Sequence, residues 1–175
     1  LKKGGSAIDA AVAVQAMLSL VEPQSSGLGG GSFMLYWDNE NKKLHTFDGR
    51  ETAPVNANAY LFMQQDKTMS WRDAVVGGRS VGVPGVLKSL EMAHSKFGKL
   101  ALKHLFDDSV STAQNGFVVS ARLERLVGLK FHPGLQKLSP AKEYFYPDGE
   151  AITQGTLKTN QPLASVLRQI SEQGT

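Results

Sequence analysis

Gly27-Leu28-Gly29-Gly30-Gly31-Ser32-Phe33-Met34-Leu35, read together with Phe47-Asp48-Gly49-Arg50-Glu51-Thr52-Ala53-Pro54, decides how this chain folds. The glycines release the chain from a preceding helix into a strand. A second strand then returns and delivers Arg50 at its end. A guanidinium fixed at a strand end beside a glycine loop suits capture of a small carboxylate, through a bidentate grip that lysine does not reproduce. The plain alternative is an exposed ion pair with the flanking Asp48 or Glu51, worth about 0–1 kcal/mol. In either case an arginine can hold a substrate but cannot attack one.

Working backwards from the glycines, Ser6 and Asp9 have the serine-x-x-acid spacing of a capping box, which opens a helix over Ala7–Val21. That helix is apolar nearly all round and rich in alanine, so it is expected to be buried with another layer close against it. Pro23 ends it. Working forwards, Ser32–Trp37 and Lys43–Asp48 read as a hairpin closed by the turn Asp38-Asn39-Glu40-Asn41-Lys42.

Beyond Pro54 the pattern predicts mostly helices. Asn56 is placed to cap one running to Gln64. Met69–Val76 is a short amphipathic piece, and the glycine-rich Gly77–Gly85 reads as irregular. Pro84–Phe97 is a clear helix with Gly98 as a left-handed stop. Leu102–Asn115 reads as a second, ended by Gly116. Ser120 caps a third over Ala121–Lys130, and His132-Pro133-Gly134 is a turn. Residues 139–158 look mostly irregular, with Tyr144, Phe145 and Tyr146 as packing groups. Thr159–Gln173 is a last helix that tolerates Pro162 in its first turn. The expected fold class is α+β, a buried helix and a β-hairpin followed mostly by helices, with the sheet incomplete.

With 175 residues, the chain is long enough to bury roughly two-thirds of its unfolded surface. Hydrophobic residues make up 41% and charged residues 20%, as in ordinary globular proteins. The net charge of +3 is spread without a basic cluster or an aromatic-plus-arginine groove, so nucleic acid is not an expected partner. With no cysteine, disulfides, thiolate catalysis and cysteine metal sites are excluded. His45, His94, His104 and His132 do not share metal-ligand spacing, and neither a metal nor a cofactor is expected. No apolar run has the length of a membrane span and no secretory signal is visible, so this segment is not expected to contact a membrane. Asp107-Asp108 reads as a solvated helix face. The glycine run does not fit a nucleotide site, because a dinucleotide fingerprint runs strand, turn, helix, whereas here the order is helix, glycines, strand.

On these same residues the chain resembles the gamma-glutamyltransferase (gamma-glutamyl transpeptidase) family. The matching pieces are Gly4-Gly5-Ser6-Ala7-Ile8-Asp9-Ala10-Ala11-Val12-Ala13, Glu22-Pro23-Gln24, Gly27 to Met34, and Arg50-Glu51-Thr52-Ala53-Pro54. Gly82-Val83-Pro84-Gly85, Ala113-Gln114-Asn115-Gly116-Phe117 and Gly155-Thr156-Leu157 through Leu163-Ala164 continue the pattern in order. The resemblance implies part of the αββα sandwich of an N-terminal-nucleophile hydrolase. In that family a precursor cuts itself into large and small subunits. The new terminal threonine attacks the γ-glutamyl amide of glutathione, and water or an acceptor amine resolves the acyl-enzyme.

By this resemblance, residues 1–175 are expected to be a single fragment from the early part of the large subunit, inactive alone. The absence of an initiator Met before Leu1 and the stop at Thr175 carry the same expectation. No Thr-Thr-His segment is present, since His45-Thr46-Phe47 does not match one, so the nucleophilic threonine lies outside this chain. One contact carries over: Arg50 matches the arginine that holds the α-carboxylate of the γ-glutamyl group. The loop from Pro23 to Phe33 would be scaffold. The expected partners are a small-molecule γ-glutamyl donor and the small subunit of the same precursor. The fragment alone is expected to expose apolar faces and to pair with another copy. Family membership implies a periplasmic or extracellular location. The alternatives are a cephalosporin- or glutaryl-acylase-like relative with another amide substrate, and a non-catalytic small-carboxylate binding module.

Overall fold

The structure, a computed structural model, describes residues 1–174. In chain order its elements are α1 (Ala7–Val21), β1 (Ser32–Asp38), β2 (Lys43–Gly49), β3 (Met63–Gln64), β4 (Lys67–Thr68) and α2 (Trp71–Ala74). There follow α3 (Val86–Phe97), α4 (Asp107–Asn115), β5 (Phe117–Val118), α5 (Ala121–Gly128), α6 (Ala141–Phe145), β6 (Leu157–Lys158) and α7 (Gln161–Gln173). The chain divides into two compact units. The first comprises Leu1–Thr52, Pro84–Phe117 and the residues from Leu157 on; the second comprises Ala53–Val83 and Val118–Thr156.

In the first unit α1 starts as its sequence dictates. The Asp9 N–H donates to Ser6 Oγ at 3.1 Å and the Ser6 N–H donates back to Asp9 Oδ2 at 2.7 Å, closing the capping box. The alanines of α1 let α3 and α4 approach it, and α4 in turn packs on α7. Val12, Ala16, Val86, Leu90, Leu105, Phe106 and Leu167 form the resulting core. β1 and β2 pair antiparallel in the register Ser32↔Gly49 through Asp38↔Lys43. At the turn, the Asn41 side chain and N–H, with the Glu40 N–H, bond the Asp38 carboxyl and hold it below its ordinary range. Strand alternation turns Met34, Tyr36 and Phe47 onto Ile8, Ala93 and Phe97, burying one face of the hairpin. The other face leaves Phe33, Leu35, Trp37 and Leu44 exposed.

In the second unit Val119, Leu123, Val127, Tyr146 and Ile152 are buried. Ser120 Oγ accepts from the Leu123 N–H at 3.1 Å and so starts α5, and the Tyr146 hydroxyl donates to the Val127 carbonyl at 2.6 Å. Trp71 and Phe131 make a tilted ring contact with centroids 5.5 Å apart. Among the described residues no helix is long and apolar enough to cross a membrane.

Four local expectations are corrected. Asn56 caps no helix: Ala57, Leu61 and Met63 donate back to Pro54, Asn58 and Tyr60 in successive turns. The chain then forms the β3–β4 hairpin around Gln65 (φ 48°) and Asp66 (φ 59°). Gly98 is not a left-handed stop, having φ −68° while its N–H still reaches the His94 carbonyl. Leu102–Asn115 is not one helix but a 3-10 turn over Leu102–Leu105 followed by α4. Asp107 and Asp108 therefore lie in the first turn of α4, where the helix dipole favours carboxylates. Finally, part of the segment read as irregular is helical, in α6 and in the 3-10 turn Pro147–Gly149.

Candidate functional site

Three stretches far apart in sequence cross at the open end of the β1–β2 hairpin. The first is the glycine loop that follows α1, held by Gln15, whose Nε2 donates to the Gly27 carbonyl at 3.0 Å and to Ser26 Oγ at 2.9 Å. The Gly30 carbonyl accepts from the N–H groups of Gly85 and Val86, both at 3.1 Å, and so partners donors that the start of α3 would otherwise leave unpaired. The glycine loop thus ties α1, β1 and α3 together.

Backbone crowding at this crossing explains its glycines. A Cβ on Gly49 would lie 2.6 Å from Ser89 Oγ and 2.8 Å from the Gly85 carbonyl oxygen. A Cβ on Gly85 would collide with the Gly49 carbonyl oxygen. A Cβ on Gly31 would lie 2.5 Å from Glu51 Oε2 and 2.6 Å from the Gly49 carbonyl oxygen. By contrast, Gly27 and Gly29 face open space. Thus Gly31, Gly49 and Gly85 are required by close approach of backbone, whereas their neighbours in the run are not.

Arg50 is the first residue beyond this crossing. Its N–H donates to Asp48 Oδ1 at 2.9 Å, which fixes the chain as it leaves β2. Its Nε lies 3.3 Å from Glu51 Oε2, and its side chain is 70% exposed. The sequence left open whether Asp48 or Glu51 would pair with the guanidinium; the pairing is with Glu51, whose carboxylate lies in the notch left by Gly31. A pair this exposed is weak, and a ligand carboxylate can compete for the guanidinium.

The histidines lie elsewhere. His45 sits among Tyr36 and Phe97 rings, with a centroid 4.7 Å from that of Phe97. His94 Nε2 is 3.3 Å from Asp9 Oδ1 and 2.9 Å from the Leu100 carbonyl, and His104 Nδ1 is 3.1 Å from Asp107 Oδ2. The His132 ring accepts from the Gly134 N–H at 3.1 Å within its own turn. Among the described residues of the first unit, one open cleft is lined by Lys2, Asp9, Leu100 and His104 and another by Lys103, Asp107 and Arg168; neither includes Arg50.

Sequence reasoning missed Ser32 and Ser89 at the crossing. Their hydroxyls are 2.9 Å apart, and Ser89 Oγ also donates to the Val86 carbonyl at 2.9 Å. The contact joins positions separated by 57 residues, and no local pattern announces it.

This helix-and-hairpin arrangement is the α+β fold of a class that includes transpeptidases and acylases. A Helicobacter pylori gamma-glutamyltranspeptidase structure superposes with a TM-score of 0.91 at 31% identity, covering 99% of this chain and 49% of that one. A Bacillus halodurans cephalosporin acylase superposes with a TM-score of 0.80 at 26% identity, covering 99% of this chain and 32% of that one. The Gamma-glutamyltranspeptidase family model matches residues 1–175, and the chain belongs to that family. It is 38% identical to a glutathione hydrolase proenzyme of Bacillus subtilis (strain 168) over 176 residues, spanning 100% of this chain but 30% of that relative.

Proposed function

We propose that the protein carrying this chain cleaves γ-glutamyl amides such as glutathione and passes the γ-glutamyl group to water or to an amine. In this reading Arg50 grips the α-carboxylate of the γ-glutamyl group. The observation that carries it is the placement of Arg50: anchored by Asp48, one residue past a crossing of three backbones, with its side chain open to solvent. Family membership and the name of the Bacillus subtilis relative support the reaction class.

The nucleophile, a threonine at a new N-terminus, comes from a part of the protein beyond these residues, as does the small subunit that would carry it. The word proenzyme in the relative's name is in keeping with a processed precursor. The present residues would belong to the large subunit, and the location would be periplasmic or extracellular. In the reaction, the guanidinium holds the donor so that its γ-carbonyl meets the nucleophile, a positioning contribution made equally in ground and transition states.

Arg50→Lys in the mature protein is expected to raise KM for a γ-glutamyl anilide at least tenfold, with a melting temperature within about 2 °C of the wild type. An unchanged KM would remove Arg50 from the site. The cephalosporin acylase likeness supports a second reading, hydrolysis of a glutaryl or related amide. Parallel assays with a γ-glutamyl anilide and a glutaryl anilide separate the two: the first reading expects turnover of the γ-glutamyl compound to dominate.

A further inference from the structure

We infer that Ser89 is a positioning residue for Arg50, acting with Ser32 on the last residue pair of the hairpin. The inference rests on the reading of Arg50 as the carboxylate grip. Ser89 is on α3, 3% exposed, and carries its hydroxyl to the crossing, where it meets that of Ser32. A serine hydroxyl has one hydrogen. Since Ser89 gives its hydrogen to the Val86 carbonyl, the 2.9 Å contact with Ser32 has Ser32 as donor.

Ser32 is the cross-strand partner of Gly49, and Gly49 directly precedes Arg50. Ser89 itself lies against Gly49, filling the space where a Cβ would stand. The Gly49 carbonyl in turn lies against Gly85, at the start of the same helix. The peptide that leads into Arg50 is therefore held by Ser32 across the ladder, by Ser89 from below and by Gly85 at its carbonyl. An alanine at position 89 would keep the contact with Gly49 but lose both hydrogen bonds, leaving the Ser32 hydroxyl without its acceptor. The strand end would then gain freedom at the point from which the arginine reaches out.

The test uses the mature protein purified from its native gene, with a γ-glutamyl anilide as donor. Ser89→Ala and Ser32→Ala are each expected to raise KM about threefold to tenfold with kcat within about twofold, as for the loss of one or two ordinary hydrogen bonds felt through binding. In an Arg50→Lys background, Ser89→Ala is expected to change KM by less than about twofold, because a weakened grip has little left to misplace. A lower melting temperature with KM unchanged in both single variants would make the hydroxyls merely structural and overturn the inference. So would an equal multiplication of KM with and without Arg50. If Ser89→Ala does not fold, Ser32→Ala carries the same readouts. A normal KM in Arg50→Lys alone would instead overturn the underlying reading, a distinguishable result.

Discussion

Asp9 is 2% exposed, yet its surroundings favour the ionised form. Burial by itself pushes its carboxyl up. The N–H groups of Ser6, Lys99 and Leu100, together with the Ser6 hydroxyl, outweigh that penalty and hold it below the ordinary value of 3.8. The contacts from Lys99 (3.0 Å) and Leu100 (3.3 Å) tie the start of α1 to the loop beyond α3, some ninety positions later. A carboxyl depressed in this way stabilises the fold above its ordinary titration range, and that stabilisation is lost as pH falls through its folded value. His94 is the titratable side chain beside it, with Lys2, Lys3, His104 and Asp108 around the adjoining cleft. Asp9→Asn presents an amide donor to backbone donors, and should cost about 2–3 kcal/mol in urea unfolding of this chain at pH 6. Its stability should also fall less steeply than the wild type's below pH 4. Equal unfolding midpoints at pH 6 would contradict this account.

At the scale of elements, the hairpin and α3 are locked by absent side chains. Gly85→Ala forces a Cβ against the Gly49 carbonyl and should cost roughly 1–3 kcal/mol, as overpacking does. Gly29→Ala, in the glycine loop before β1 and facing open space, should change stability by less than about 0.5 kcal/mol. Comparable losses for the two would contradict close approach as the reason for a glycine at position 85. α1 and the β1–β2 hairpin were legible in the sequence because their signals are local: a capping box, an alternation, a turn rich in Asp and Asn. The β3–β4 hairpin was not, since strands of two residues are too short to show a period. The break at Phe106 was hidden because Leu102–Asn115 keeps helical spacing through a 3-10 turn. Within the candidate site, Arg50 was singled out by its place after a strand and by the family pattern around it. Ser32 and Ser89 meet only through the tertiary fold.

At the scale of the whole molecule, the hairpin forms a two-stranded sheet with Phe33, Leu35, Trp37 and Leu44 on its outer face. A face of this kind, beside unpaired strand edges, favours association in water. The 175-residue chain on its own is expected to self-associate in light scattering, and Leu35→Lys with Trp37→Glu to shift it towards monomer. A concentration-independent monomer in the unaltered chain would contradict that. The chain spans about 30% of the Bacillus subtilis relative, and catalysis is proposed for the protein that carries it. The central claim concerns what Arg50 holds. It is tested most directly by assaying the mature protein and its Arg50→Lys variant with a γ-glutamyl anilide and with the 4-aminobutyryl anilide, which lacks the α-carboxylate. The account predicts a loss of at least tenfold in kcat/KM for the first substrate and almost none for the second. An equal loss on both, or none on either, would contradict it.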